Sequence, residues 1–225
     1  MSRSCLQLAL VLLIMAATVS AGEIIERIVA TVNGRPILQS DWDEEVRYEA
    51  FMNRRSLDSE SPDDRKAALD HLIDQELLRQ QMKQSDGTAT SIHDVEKRIQ
   101  DVRKLYSGAE NEQVWSATLQ RYALTQEELA THIGIQLSLE RLVEARLRPS
   151  VHIDSGSIET YYREKLLPQL RQSGVKEVPL VEVSPKIREL LAQQRMTELL
   201  AAWLHDLRLQ SRIRMGANDQ GVAAR

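Results

Sequence analysis

Ile28 to Val46, IVATVNGRPILQSDWDEEV, carries four local signals in succession. Ile28 to Val32 is a short run of β-favouring Ile, Val and Thr. Asn33-Gly34 follows, the pair best suited to positive φ at both central positions of a tight hairpin turn. Arg35-Pro36-Ile37-Leu38 leaves the turn extended, and Pro36 cannot donate to a ladder, so the second arm is expected to be short or an edge. Ser40 is the expected helix N-cap, with Asp41, Asp43, Glu44 and Glu45 set against the positive end of the helix dipole. The rest of the chain reads as almost wholly helical, so this strand needs a partner from elsewhere.

Upstream, Met1 to Ser4 holds one Arg, Leu6 to Ala17 is apolar, and the small residues Val19-Ser20-Ala21 precede Gly22. This pattern predicts a secretory signal peptide over residues 1–21, cleaved near Ala21-Gly22. Its apolar run is shorter than the roughly twenty residues that span a bilayer. An uncleaved membrane anchor is the competing reading. Cys5 is the single cysteine of the chain, so the exported part would hold neither a disulfide framework nor thiolate chemistry. The net charge of −4 becomes about −5 without Arg3, and the two signs are interspersed. A nucleic-acid surface would need a clustered basic face, which is missing here. Gly is low at nine and β-branched runs are few, which argues against a barrel, sandwich or Rossmann-type sheet.

Periodicity divides the remainder into helices. Asp41 to Arg54 carries Trp42, Val46 and Ala50 on one face, with Tyr48, Phe51 and Met52 beside them. After the polar loop Arg55 to Asp64, capped by Asp63 or Asp64, comes Arg65 to Lys83, and Gln84 to Ala89 with Gly87 ends it. Thr90 or Ser91 opens a third helix, whose stripe runs Ile92, Val95, Ile99, Val102 and Tyr106. Asn111 to Tyr122 is shorter. Thr125 and Glu128 form a capping box before a long helix that Pro149 stops near Arg148. Asp154 caps the next helix, which contains Tyr161 and Tyr162, and Pro168 to Glu182 reads as a polar connector. Pro185, as a first-turn residue, is expected to start a helix of about 40 Å reaching Leu209. Arg212 to Met215 is a candidate terminal strand and the best partner for Ile28 to Val32. The tail 216–225 is expected to be disordered.

That order resembles the SurA-type periplasmic chaperones. VATVNGRPILQSDWDEEV, then ALDHLIDQELL at Ala68 to Leu78, is similar to their N-terminal domain. TSIHDVEKRI at Thr90 to Ile99 and RPSVHIDSGSIETYY at Arg148 to Tyr162 look like later blocks of that domain. The last helix, from Ser184 to Met215, resembles the family's returning C-terminal segment. The resemblance implies a mainly α, multi-helix chaperone domain with a small pairing of N- and C-terminal strands, closed by a long C-terminal helix. Its expected divisions are a core over 22–170, a linker over 171–184 and a completing helix and strand over 185–215. In the family, one or two parvulin-type prolyl isomerase domains usually separate the Tyr-Tyr helix from the last one. Here only Arg171 to Ser184 lies between, so isomerase activity is not carried over and no enzyme is expected.

The scan for chemistry points the same way. His71, His93, His132, His152 and His205 are scattered, without an HExxH or a Cys to complete a zinc set, so no metal or other cofactor is expected. Each reads as a polar-face or helix-end histidine. Ser173-Gly174-Val175-Lys176 matches S-x-x-K without the companion motifs of a serine acyltransferase and is treated as chance. The resemblance implies an ATP-independent periplasmic holdase for unfolded exported or outer-membrane polypeptides. Such a protein holds clients by weak, non-directional burial on apolar patches. The candidate client-contacting residues are Tyr48, Phe51 and Met52 on the first helix, and Trp115, Leu119 and Tyr122 on the short one. Ordinary core packing is the competing reading for each, whereas Trp42 and Trp203 are assigned to the core. Two other functions remain open: a diverged prolyl isomerase, and an adaptor dedicated to one secreted partner.

Overall fold

The computed structural model describes residues 26–82 and 90–216. The expected signal peptide, the break at Gln84 to Ala89 and the tail beyond Gly216 lie outside the described residues.

Strand β1 (Ile28–Val32) turns through Asn33-Gly34 into β2 (Arg35–Leu38). Both turn residues have positive φ, 53° and 85°, as a two-residue hairpin whose twist matches its strands requires. A third strand, β3 (Ile213–Met215), pairs antiparallel with β1, with Ala30 opposite Met215 and Val32 opposite Ile213. The sheet order β2-β1-β3 makes β1 central, so the chain's return supplies the partner that the sequence demanded. Asn33 fastens this closure. Its backbone N–H donates to Arg212 O (2.9 Å) and its Oδ1 accepts from Arg212 N (2.8 Å). Its Nδ2 donates to Gln80 Oε1 (2.7 Å) and Ser211 Oγ (3.1 Å).

Helix α1 (Gln39–Met52) starts one residue before the expected cap. Leu38 is the N-cap, and the Asp41 carboxylate accepts its backbone N–H at 2.9 Å. Ser40 instead donates its own N–H to Glu26 Oε1. Helix α2 (Pro62–Met82) likewise begins earlier than expected. Ser61 and Asp64 satisfy each other's backbone N–H groups, and Pro62 occupies the first helical position, where its missing donor costs nothing. Helices α3 (Ile92–Arg103), α4 (Glu112–Arg121) and α5 (Gln126–Leu147) carry side-chain caps from Ser91, Asn111 and Thr125. The Thr125–Glu128 capping box forms as expected.

Helix α6 (Ser155–Tyr161), capped by Asp154, runs through a wider π turn (Tyr162–Leu166) into α7 (Leu167–Gln172). Pro168 therefore does not open the connector. The widened turn comes just before it, where its ring would meet the Glu164 carbonyl in a regular α-helix. Gly174, at φ 66°, ends the helix in a Schellman arrangement. Val175 N–H reaches back to Leu170 O and Gly174 N–H to Arg171 O. The last helix, α8 (Leu180–Gln210), begins more than a turn before Pro185, which lies inside it. With 31 residues it is about 46 Å long. Arg208 pins its end to α2 through Asp74 (2.6 Å) and Asp70 (3.2 Å).

Among the described residues, three apolar clusters hold these elements. Val29, Ala30 and Val32 of β1 pack with Leu69, Ile73 and Leu77 of α2, flanked by Leu207 and Ile213 from the returning segment. Phe51, Trp115, Leu119, Leu129 and Ile133 centre a second cluster, joining α1, α3, α4 and α5. Leu78, Leu139 and Leu142 form a third beneath α8. The two tryptophans expected in the core pack against its edges, Trp42 on the β1–α2 cluster and Trp203 on the third. Trp42 is half-buried, its indole N–H donating to Arg65 O (2.7 Å) under the Arg65 guanidinium. Trp203 is also half-buried, with Arg146 over its ring at 4.8 Å. An indole covered by a guanidinium keeps its polar rim near water, so the long Arg side chains replace a deeper core there.

Candidate functional site

A cleft of about 680 Å³ opens between α1, α2, α5 and α8. Its walls mix apolar side chains, including Met52, Leu78, Met196 and Leu200, with polar ones such as Gln75 and Gln136. Helical spacing explains the convergence. Tyr48, Glu49 and Met52 share one face of α1, His71, Gln75 and Leu78 one face of α2, and Met196 and Leu200 one face of α8.

Behind this wall lies a carboxylate with no solvent exposure, Glu45, between two imidazoles. His71 Nδ1 is 2.8 Å from Glu45 Oε1 and 3.2 Å from Glu49 Oε1. His132 Nδ1 is 3.5 Å from Glu45 Oε2, and its Nε2 is 2.8 Å from Glu44 Oε1. Tyr48 stacks on His132 with ring centroids 4.4 Å apart and donates its hydroxyl to Gln136. Burial, with the Glu45 charge nearby, pushes the Tyr48 phenol above its ordinary range. It is therefore a neutral donor at any physiological pH.

Hydrogen bonding to Glu45, then to Glu49, raises the His71 pKa to about 10 against the opposing effect of burial. His71 is thus a cation at neutral pH, tying α2 to α1. Because its folded value exceeds the unfolded one of about 6.5, its stabilising contribution is complete below that pH. The contribution fades as pH rises toward 10. Half of the side chain is exposed, so solvent screens the pair. The thermal midpoint of wild type in chelator-containing buffer should fall by about 2–4 °C more between pH 6.5 and 10 than that of His71→Gln. Parallel pH profiles for the two proteins would remove His71 from this role.

The six residues expected to contact clients all pack in or against the second cluster, but they differ in access. Phe51 and Trp115 are fully buried and Leu119 almost so. Phe51 stacks on Tyr106 and meets Trp115 and Tyr122 edge-on, and Tyr122 is half-buried against them. In this conformation Phe51, Trp115 and Leu119 offer a client almost no surface. Tyr48, although buried, and the half-buried Met52 border the cleft. Sequence reasoning missed Leu78, Met196 and Leu200, since a helix stripe does not say which of its residues lie under another helix. It also listed His71 and His132 as scattered, although their helices bring both to Glu45. Ser173 is an ordinary helix-end residue, its hydroxyl donating to Gln169 O.

A mainly helical domain whose central strand is completed by the chain's own return defines the class of protein. The model of the SurA-like N-terminal domain matches residues 2–143, and the chain belongs to that family. No parvulin domain is detected alongside it. No curated protein matches the chain. Among the described residues, no helix is long and apolar enough to cross a membrane.

Proposed function

We propose that this domain is an ATP-independent holdase of the periplasm, binding unfolded exported polypeptides in the cleft between α1, α2, α5 and α8. The family suggests a chaperone-like role. The observation that carries the proposal is the cleft itself, about 680 Å³ and lined in part by adaptable thioether and aliphatic side chains. Met52 and Met196 can repack around unlike side chains at little cost, which suits a binder of many sequences. No catalytic step is assigned to the domain.

The mature chain should slow the aggregation of several unrelated unfolded proteins without nucleotide. Met52→Asp combined with Leu200→Asp should weaken client binding by about tenfold, since each puts a charge where an apolar side chain would be buried. The midpoint of unfolding of the double variant should stay within a few degrees, because both positions are only half-buried. Absence of aggregation suppression by the wild type would overturn the proposal. Prolyl isomerisation above background would favour a diverged isomerase, and capture of one folded partner alone would favour an adaptor.

A further inference from the structure

We propose that Glu45, Glu49 and His71 form a binding site for a first-row divalent cation of the zinc type, set in the wall of the cleft. Glu45 and Glu49 lie one turn apart on the same face of α1, and His71 faces them from α2. One ligand atom from each of the three lies within 4.8 Å of the others. Zinc takes imidazole nitrogen and carboxylate oxygen at about 2.0–2.2 Å, which sets neighbouring tetrahedral ligands a little over about 3 Å apart. His71 Nδ1 is already 2.8 Å and 3.2 Å from the two carboxylates. Small side-chain shifts, with release of the His71 Nδ1 proton to solvent, would therefore admit the ion.

Two further observations point to a cation. Glu45 is wholly buried, yet its Oε2 accepts no hydrogen bond among the described residues. A buried, unpaired carboxylate oxygen is costly unless a positive group approaches it. His132 Nδ1 lies 3.5 Å from it, and that ring already engages Glu44 through Nε2. The second observation is the local charge. Three carboxylates, Glu44, Glu45 and Glu49, surround two imidazoles, so no protonation state of the histidines cancels the negative charge. A divalent ion would do so. Glu49 and His71 also face the cleft, which leaves the remaining coordination positions open to water or to a side chain entering it. The donors come from two helices with no local motif, which is why a search for HExxH spacing passed over them. This site does not depend on the holdase function: either could hold without the other.

The test is titration of the chelator-treated mature chain with Zn²⁺, and separately with Co²⁺ as a spectroscopic stand-in. One equivalent should bind, the Co²⁺ form should show visible absorption from a low-coordinate site, and saturating Zn²⁺ should raise the thermal midpoint by about 5–10 °C. His71→Gln and Glu49→Gln should each weaken uptake at least tenfold, while His205→Gln leaves it unchanged. Glu49 is half-buried in the cleft wall and its amide is nearly isosteric, so E49Q keeps the comparison meaningful even if H71Q folds poorly. Failure of the wild type to take up one equivalent would overturn the site. So would uptake unchanged in E49Q, or uptake lost in H205Q instead.

Discussion

Ending the chain at Gln210 is expected to lower the thermal midpoint by on the order of 10 °C and to loosen the whole domain, with an effect far beyond its last turn. The removed segment contains β3, which covers one edge of β1 with three residue pairs. Also lost are the backbone bonds from Asn33 N–H to Arg212 O and from Gly216 N–H to Val29 O. Ile213, packed against the β1–α2 cluster, would go too. Each backbone bond contributes roughly 0.5–1.5 kcal/mol net, and the partial burial of one Ile about 1 kcal/mol, so several kcal/mol are at stake. Because β1 is the central strand, its loss of a partner reaches α2 through Leu69, Ile73 and Leu77. Asn33→Gly separates the two parts of this effect. It keeps positive φ at the turn but removes the side-chain bonds to Gln80, Ser211 and Arg212, and should cost about 1–2 kcal/mol. A truncated chain that unfolds at the wild-type temperature would show that the closure contributes nothing.

Phe51→Ala should be still more damaging, at about 3–5 kcal/mol. The ring is fully buried, stacked on Tyr106 at 5.0 Å and edge-on to Trp115 at 6.0 Å and Tyr122 at 5.4 Å. Its removal leaves a cavity where α1, α3, α4 and α5 meet, and aromatic neighbours of that size cannot collapse to fill it. Urea unfolding should show a lower midpoint with an unchanged slope, which marks lost stability of one cooperative unit. Met52→Ala, one residue on, should cost markedly less because that side chain is only half-buried at the cleft. The contrast bears directly on function. If Phe51→Ala reduces client holding, the loss should track the unfolded fraction, whereas a cleft variant should reduce holding in a folded protein. Equal stability losses for the two variants would refute the placement of Phe51 in the core.

Local signals carried much of the fold because they are short-range chemistry. Asn33-Gly34 announces its hairpin through positive φ, and Thr125 with Glu128 announces a helix start through two orphan N–H groups. The same chemistry misled where two solutions compete. Ser40 has the side chain of a cap, but Asp41 reaches the free N–H first and moves the helix start to Gln39. Pro168 and Pro185 read as boundaries. A π turn before the first accommodates its ring, and α8 starts upstream of the second.

What the chain alone determined is its mainly helical class, the order of its elements and the need of Ile28 to Val32 for a distant partner. Apolar periodicity and turn residues act over a few residues, so they can be read in one dimension. Tertiary structure decided which side of each apolar stripe is covered. Phe51 and Met52 are adjacent on one helix, yet the first fills a core and the second borders a cleft. It also decided that Glu45, His71 and His132, from three separate helices, meet around one buried carboxylate. Burial depends on what packs against a face, and that partner lies tens of residues away in sequence.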